Sequence, residues 1–140
     1  MKAFVDAIVQ RFKTDKTLLR YARRIYEDLG DEPTKSVPYV NLAIEGPSSE
    51  LDSFDADFNE FEVTFTIFGK DSLSDSVHSA LEAMTQVFDD CSLVSAEFET
   101  VQFKRTGGSQ PSVVDGRFQA SLTYTAIIQM TRLVPVEREA

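Results

Sequence analysis

One histidine, one cysteine and a run of carboxylates are the side chains in this sequence that invite a chemical reading. His78 is the only imidazole and lies between Val77 and Ser79. A general base needs a nucleophile or acid to serve, and no serine or cysteine motif accompanies it, so it reads as a surface or boundary side chain. Cys91 stands between Asp90 and Ser92 with no histidine near it in sequence, and a thiol there lacks an identifiable base. In "DADFNEFE", Asp55, Asp57 and Asn59 have the spacing of the first three ligands of a calcium loop. The sixth loop position is Glu60 where glycine is required and the twelfth is Thr66 where glutamate is required. "TGGSQPS" lacks the Gly-Lys-Ser/Thr ending of a phosphate loop and precedes a strand instead of a helix. We therefore expect a binding or structural module, with no catalytic centre, metal or cofactor.

Charge is distributed unevenly. Residues 1–35 carry eight basic side chains against six acidic, and residues 104–140 carry five against three, so each end is +2. Between 36 and 103 Lys70 alone faces fourteen carboxylates, giving −13 and the overall −9. Such a surface repels phosphates, which argues against nucleic-acid binding by counterion release. A single cysteine excludes an intrachain disulfide. Lys2, Asp6 and Arg11 interrupt the apolar positions of the N-terminal segment, so no signal-peptide core or membrane span can be drawn there, and a soluble protein folded in a cytosol is expected.

Periodicity supplies the elements that would have to position any site. Phe4, Ile8, Val9 and Phe12 define one face of a helix over residues 3–13. Thr14 and Asp15 offer caps, and Leu18, Leu19, Ala22, Ile25, Tyr26 and Leu29 predict a second helix ending at Gly30, with Arg20, Arg23 and Arg24 on its polar side. Val40, Leu42 and Ile44 alternate in a first strand; Phe61, Val63, Phe65 and Ile67 alternate in a second. A helix follows from an N-cap at Ser72, with Val77, Ala80, Leu81, Met84, Val87 and Phe88 on its apolar stripe. A third strand over 93–105 needs a bulge to reconcile Phe98 with Val101 and Phe103. Residues 106–116 have the composition of a flexible hairpin tip, a fourth strand spans 118–130, and the C-terminal tail is expected to be loose. The expectation is one α+β domain over 1–140: a single antiparallel four-stranded sheet with helices packed on one face, in the order helix-helix-strand-strand-helix-strand-strand.

An N-terminal helix, the segment "RRIYED", the "PYV" opening of a strand, the alternating "FEVTFTIFG", the helix "SVHSALEAMTQVFDD" and two long terminal strands together resemble the tail terminator, or tail-completion, proteins of long-tailed bacteriophages. The likeness is one of pattern over most of the chain. It implies a structural virion protein that forms a homohexameric ring on the end of the tail tube, stops tube polymerisation and joins the neck of the filled head. Its implied partners are further copies of itself, the tail tube protein and a neck or head-completion protein, with DNA passing through unbound and no membrane. Its place would be the tail–neck junction of the virion, after assembly in the host cytoplasm. A head–tail adaptor or stopper is a second reading, and a small dimeric ligand-binding regulatory domain is a third.

Within the resemblance, Asp52, Asp55, Asp57, Glu60 and Glu62 are candidates for a channel lining that repels DNA over about 8 Å, the Debye length in physiological salt. The alternative is that they keep the protein in solution or prevent edge-to-edge pairing. Phe54, Phe58 and Phe68 fall outside the core-facing parity of their strand and are either partner anchors or packed beneath a neighbour. Arg20, Arg23 and Arg24, with Gly107, Gly108 and Gln110 in the hairpin tip, complete the candidate subunit or partner interface.

Overall fold

A computed structural model describes residues 2–22, 24–27, 39–48, 58–69, 75–114 and 116–130. The helices are α1 (Lys2–Thr14), α2 (Lys16–Tyr21) and α3 (Asp75–Phe88); the strands are β1 (Arg24–Glu27), β2 (Tyr39–Ser48), β3 (Phe58–Phe68), β4 (Phe98–Val114) and β5 (Arg117–Met130). They form one five-stranded sheet in the order β1-β2-β3-β5-β4.

This corrects the expected four-stranded antiparallel sheet. The predicted second helix is cut to six residues, and the chain it would have used returns as β1, which pairs with β2 in parallel and makes the sheet mixed. The start of α2 follows from Asp15, whose carboxylate accepts the Leu18 amide at 2.8 Å. Its end is at Ala22, where the backbone turns extended (φ −143°, ψ 108°) while the Ala22 amide still donates to the Leu18 carbonyl. Ile25 and Tyr26 then lie opposite Val40 and Asn41. A β-branched and an aromatic side chain suit a pleated edge better than a third helical turn.

Helix α1 buries Phe4, Ile8 and Phe12, one residue per turn on one face. Helix α3 buries Val77, Ala80, Ala83, Met84, Val87 and Phe88. It has no basic residue in its own last turn; Arg11 of α1 supplies one, its Nε donating to the Val87 carbonyl at 2.8 Å. Opposite the helices, β3 and β5 present Phe61, Val63, Phe65, Ile67, Ala120, Leu122, Tyr124, Ala126 and Ile128 to the core. Aromatic rings join the layers, with ring centroids of Phe4 and Phe61 5.1 Å apart and of Phe65 and Phe88 4.6 Å apart, and within the sheet Phe103 lies 4.9 Å from Tyr124.

The third strand carries a register shift, between Thr100 and Gln102, that lets Phe98 and Phe103 both face the core, but Val101, expected on the same side as Phe103, falls in the shift and is exposed. The expected hairpin tip is not where composition put it. β4 continues as strand to Val114, which lies opposite Arg117 of β5. The tail beyond 130 lies outside the described residues.

Candidate assembly surface

Alternation along the strands decides what the second face of the sheet carries. With Val63, Phe65, Leu122 and Tyr124 turned to the helices, their neighbours Glu62, Thr64, Thr66, Ser121, Thr123 and Thr125 must turn the other way. Cross-strand register gathers them into rows: Asn41, Thr66, Ser121 and Ser109; then Ala43, Thr64, Thr123 and Gly107; then Glu45, Glu62, Thr125 and Lys104. Hydroxyls meet directly, Thr64 with Thr123 at 3.4 Å and Ser109 with Ser121 at 3.1 Å. No described helix packs on this face.

The face becomes anionic toward the start of β3. Glu45 and Glu62 are directly opposed, and Glu60 follows on the same side. Together with Gly46, Phe61 and Thr125 they line a shallow, open depression of about 360 Å³. Gly46 makes its floor possible: at φ +125° it sits in the register shift between Glu45 and Ser48, and a Cβ there would lie 2.8 Å from the Glu60 carbonyl oxygen. At the other end of the face Tyr39 and Phe68 stack at 5.0 Å with Tyr26 edge-on to Tyr39, and both Tyr39 and Phe68 are buried.

The structure distributes the candidate residues as follows. Glu60 and Glu62 are on the open face, where the signal that had been missed is their third partner, Glu45, on the outward parity of β2. Phe58 is half-buried on the same face, whereas Phe68 is buried and presents no exposed anchor. Arg20 is exposed in the last turn of α2 and Arg24 at the start of β1, so the two do not share a helix face. Gly107, Gly108 and Gln110 are strand residues of β4 rather than tip residues. Asp52, Phe54, Asp55, Asp57 and Arg23 lie outside the described residues.

On the core side one polar cluster ties the end of α3 to β5 and β4. Tyr124 donates to Asp89 Oδ1 at 2.6 Å, and Asp89 Oδ2 lies 3.1 Å from Arg105. Burial, reinforced by the Asp89 hydrogen bond, pushes the Tyr124 phenol well above its ordinary range. Burial also pushes the Cys91 thiol up to about 11, the reverse of what a nucleophile requires. His78 is exposed on α3, beside a depression that it lines with Ser79, Leu81, Glu82, Thr85 and Arg105. Among the described residues no three His, Cys, Asp or Glu side chains are placed to hold a metal ion, and no helix is long and apolar enough to cross a membrane.

Comparison with known proteins places the fold. No family model matches the chain, and no curated protein does. Among solved structures, a chain of the virion of a native gene transfer agent particle is similar with a TM-score of 0.69 at 17% identity, over 89% of this chain and 92% of that one. A second solved chain is similar with a TM-score of 0.56 at 12% identity, over 95% and 94% of the two chains. At these identities what is shared is the fold.

Proposed function

We propose that this chain is a structural virion protein of a phage-like tail, which forms a ring on the end of the tail tube, stops its polymerisation and offers the surface that joins the neck. The observation that carries the reading is likeness along almost the whole of both chains to a component of a gene transfer agent virion. An isolated motif in common would not carry it.

The sheet supports the same reading through its chemistry. A ring through which DNA passes benefits from a lining in which fixed negative charges outnumber cations. The open face supplies hydroxyls from Thr64, Thr66, Ser121, Thr123 and Thr125 and carboxylates from Glu45, Glu60 and Glu62. In this arrangement the helices face outward and the open face lines the channel, with DNA passing unbound.

Mass photometry of the purified protein, alone and with preformed tail tubes, tests the proposal. A ring-sized species, or tubes whose ends become capped and cease to elongate, is the expected result. A particle indifferent to tubes, held as a two-fold dimer, would overturn it.

A further inference from the structure

Beyond β4 the edge of the sheet is occupied by the chain itself. The Asp90 N–H donates to the Phe103 carbonyl, the Thr100 N–H to the Leu93 carbonyl and the Ser95 N–H to the Phe98 carbonyl, and Val94 bridges Glu99. Residues 90–95 thus run alongside the start of β4, and a neighbour meets side chains there, not an open ladder. Val94 is 69% exposed and Val101 57% exposed, although Leu93 and Phe98 anchor the same hairpin in the core. Asp90, Glu97 and Glu99 are exposed on it as well, and none of the three has a cation paired with it among the described residues.

The corner diagonally across the sheet has the opposite sign. Lys13 at the end of α1, Lys16 and Arg20 of α2, and Arg24 at the start of β1 are all exposed. Asp15 lies among them in sequence, but its carboxylate is engaged by the Leu18 amide, and none of the four cations has an acidic partner among the described residues. The two patches cannot meet within one chain. β1 and β4 are four strand spacings apart, about 19 Å. Along the strands, β1 is level with residues 119–122 of β5, whereas residues 98–103 are level with 126–130. Net charge then decides where copies can touch. At −9 the chain repels its own kind at long range, so close approach is favoured where a basic corner meets an acidic one.

We propose that the basic corner formed by α2 and β1 docks on the 90–101 hairpin of a second copy, its cations against the carboxylates, with Val94 and Val101 covered between them. Apolar side chains at the centre and charges at the rim are the usual anatomy of a specific contact. With the open face inward and the helices outward, the two edges of the sheet are what neighbouring copies present to each other. The contact joins two different surfaces, so it is head-to-tail and propagates from copy to copy until it closes as a ring. The inference rests on the ring reading above and specifies the interface within it.

Charge exchange tests the pairing. Lys16→Glu with Arg20→Glu makes both corners acidic, and Glu97→Lys with Glu99→Lys makes both basic. All four positions are exposed, and urea unfolding of each variant shows that it is folded. By light scattering over a concentration series, alone or with preformed tail tubes, each variant should associate about tenfold more weakly than the wild type. An equimolar mixture of the two variants, or one chain carrying all four changes, should recover association to within about threefold. Wild-type association should weaken as salt is raised. Variants that assemble as the wild type does, or a loss that the mixture does not repair, would overturn the contact and leave the ring standing. If Lys16→Glu with Arg20→Glu spares self-association but abolishes capping of tubes, the basic corner meets the tube protein, and the inference is overturned. A wild type that assembles neither alone nor on tubes overturns the contact and the ring reading together.

Discussion

Tyr124 has no exposed surface, yet its hydroxyl is satisfied because Asp89, just beyond the end of α3, accepts from it at 2.6 Å while also facing Arg105. The two ends of this hydrogen bond should respond differently to removal. Asp89→Ala strands a buried phenol and an Arg105 guanidinium without its partner, and should cost about 1–3 kcal/mol in chemical denaturation; Tyr124→Phe leaves Asp89 still paired and should cost about 1 kcal/mol or less. Equal losses would mean that the hydroxyl is not the group under constraint. Cys91 offers a second test through pH. Its thiol ionises at about 9.0 in the unfolded chain and at about 11 in the folded one. Between those values the unfolded state has already lost the proton. The stability due to the buried thiol is therefore complete below pH 9 and falls as pH rises through 11. Urea midpoints measured across that interval should fall less steeply in Cys91→Ala, with a remainder due to Tyr124, whose phenol is shifted the same way. At pH 8 alkylation of Cys91 should be about a hundredfold slower than that of an ordinary thiol, from thiolate fraction alone.

At the scale of elements, β4 is where local composition and tertiary pairing diverge. "TGGSQPS" has the residues of a loop, but β5 holds it as strand through pairs such as Ser109 with Ser121 and Ser112 with Gln119. Gly108, at φ +147°, brings its backbone so close to the Ser121 carbonyl oxygen that a Cβ would collide with it, whereas a Cβ at Gly107 would meet only Thr123 Cβ at 3.9 Å. Gly108→Ala should therefore destabilise by about 1–3 kcal/mol and Gly107→Ala by less than about 1 kcal/mol in thermal or urea unfolding. Similar effects at both positions would argue that 106–110 is not held against β5. A later reversal was legible: Asp-Gly between "VV" and "RF" is a two-residue hairpin signal in the sequence, Val114 lies opposite Arg117, and Gly116 adopts φ +79°. The glycines and proline upstream obscured it. The strands β2, β3 and β5 and the helices α1 and α3 were legible because their apolar spacing matches one period throughout. β1 was not, since Ile25 and Tyr26 also fit the helical spacing begun at Leu18, and a parallel edge pair leaves no local mark that would favour the strand. For the candidate site, the outward parity of Glu60 and Glu62 could be read directly, while their alignment with Glu45 and Lys104 depends on register between strands distant in sequence.

At the scale of the whole molecule the question is why the sheet keeps like charges opposed. Glu45 and Glu62 face each other across β2 and β3, an arrangement that costs a few tenths of a kcal/mol to about 1 kcal/mol compared with a neutral pair. Nothing among the described residues requires it, since Glu62→Lys would convert the repulsion into attraction and should leave the monomer as stable or more so in urea. In the proposed ring, a cost to folding that the described fold does not need is accounted for by what the face meets after assembly. If the open face lines a channel for DNA, Glu60→Lys combined with Glu62→Lys changes the lining of each copy by four units of charge. Assemblies of that variant should retain double-stranded DNA, with an affinity that falls steeply as salt is raised, because each neutralised phosphate releases counterions. Wild-type assemblies should retain none at physiological salt. Filter binding or fluorescence anisotropy over a salt series measures the difference, and urea unfolding of the same preparation shows that the variant is folded. Variant assemblies that ignore DNA as the wild type does would place the Glu45, Glu60 and Glu62 face away from the channel, and the opposed glutamates would then have to be explained by a contact with another protein.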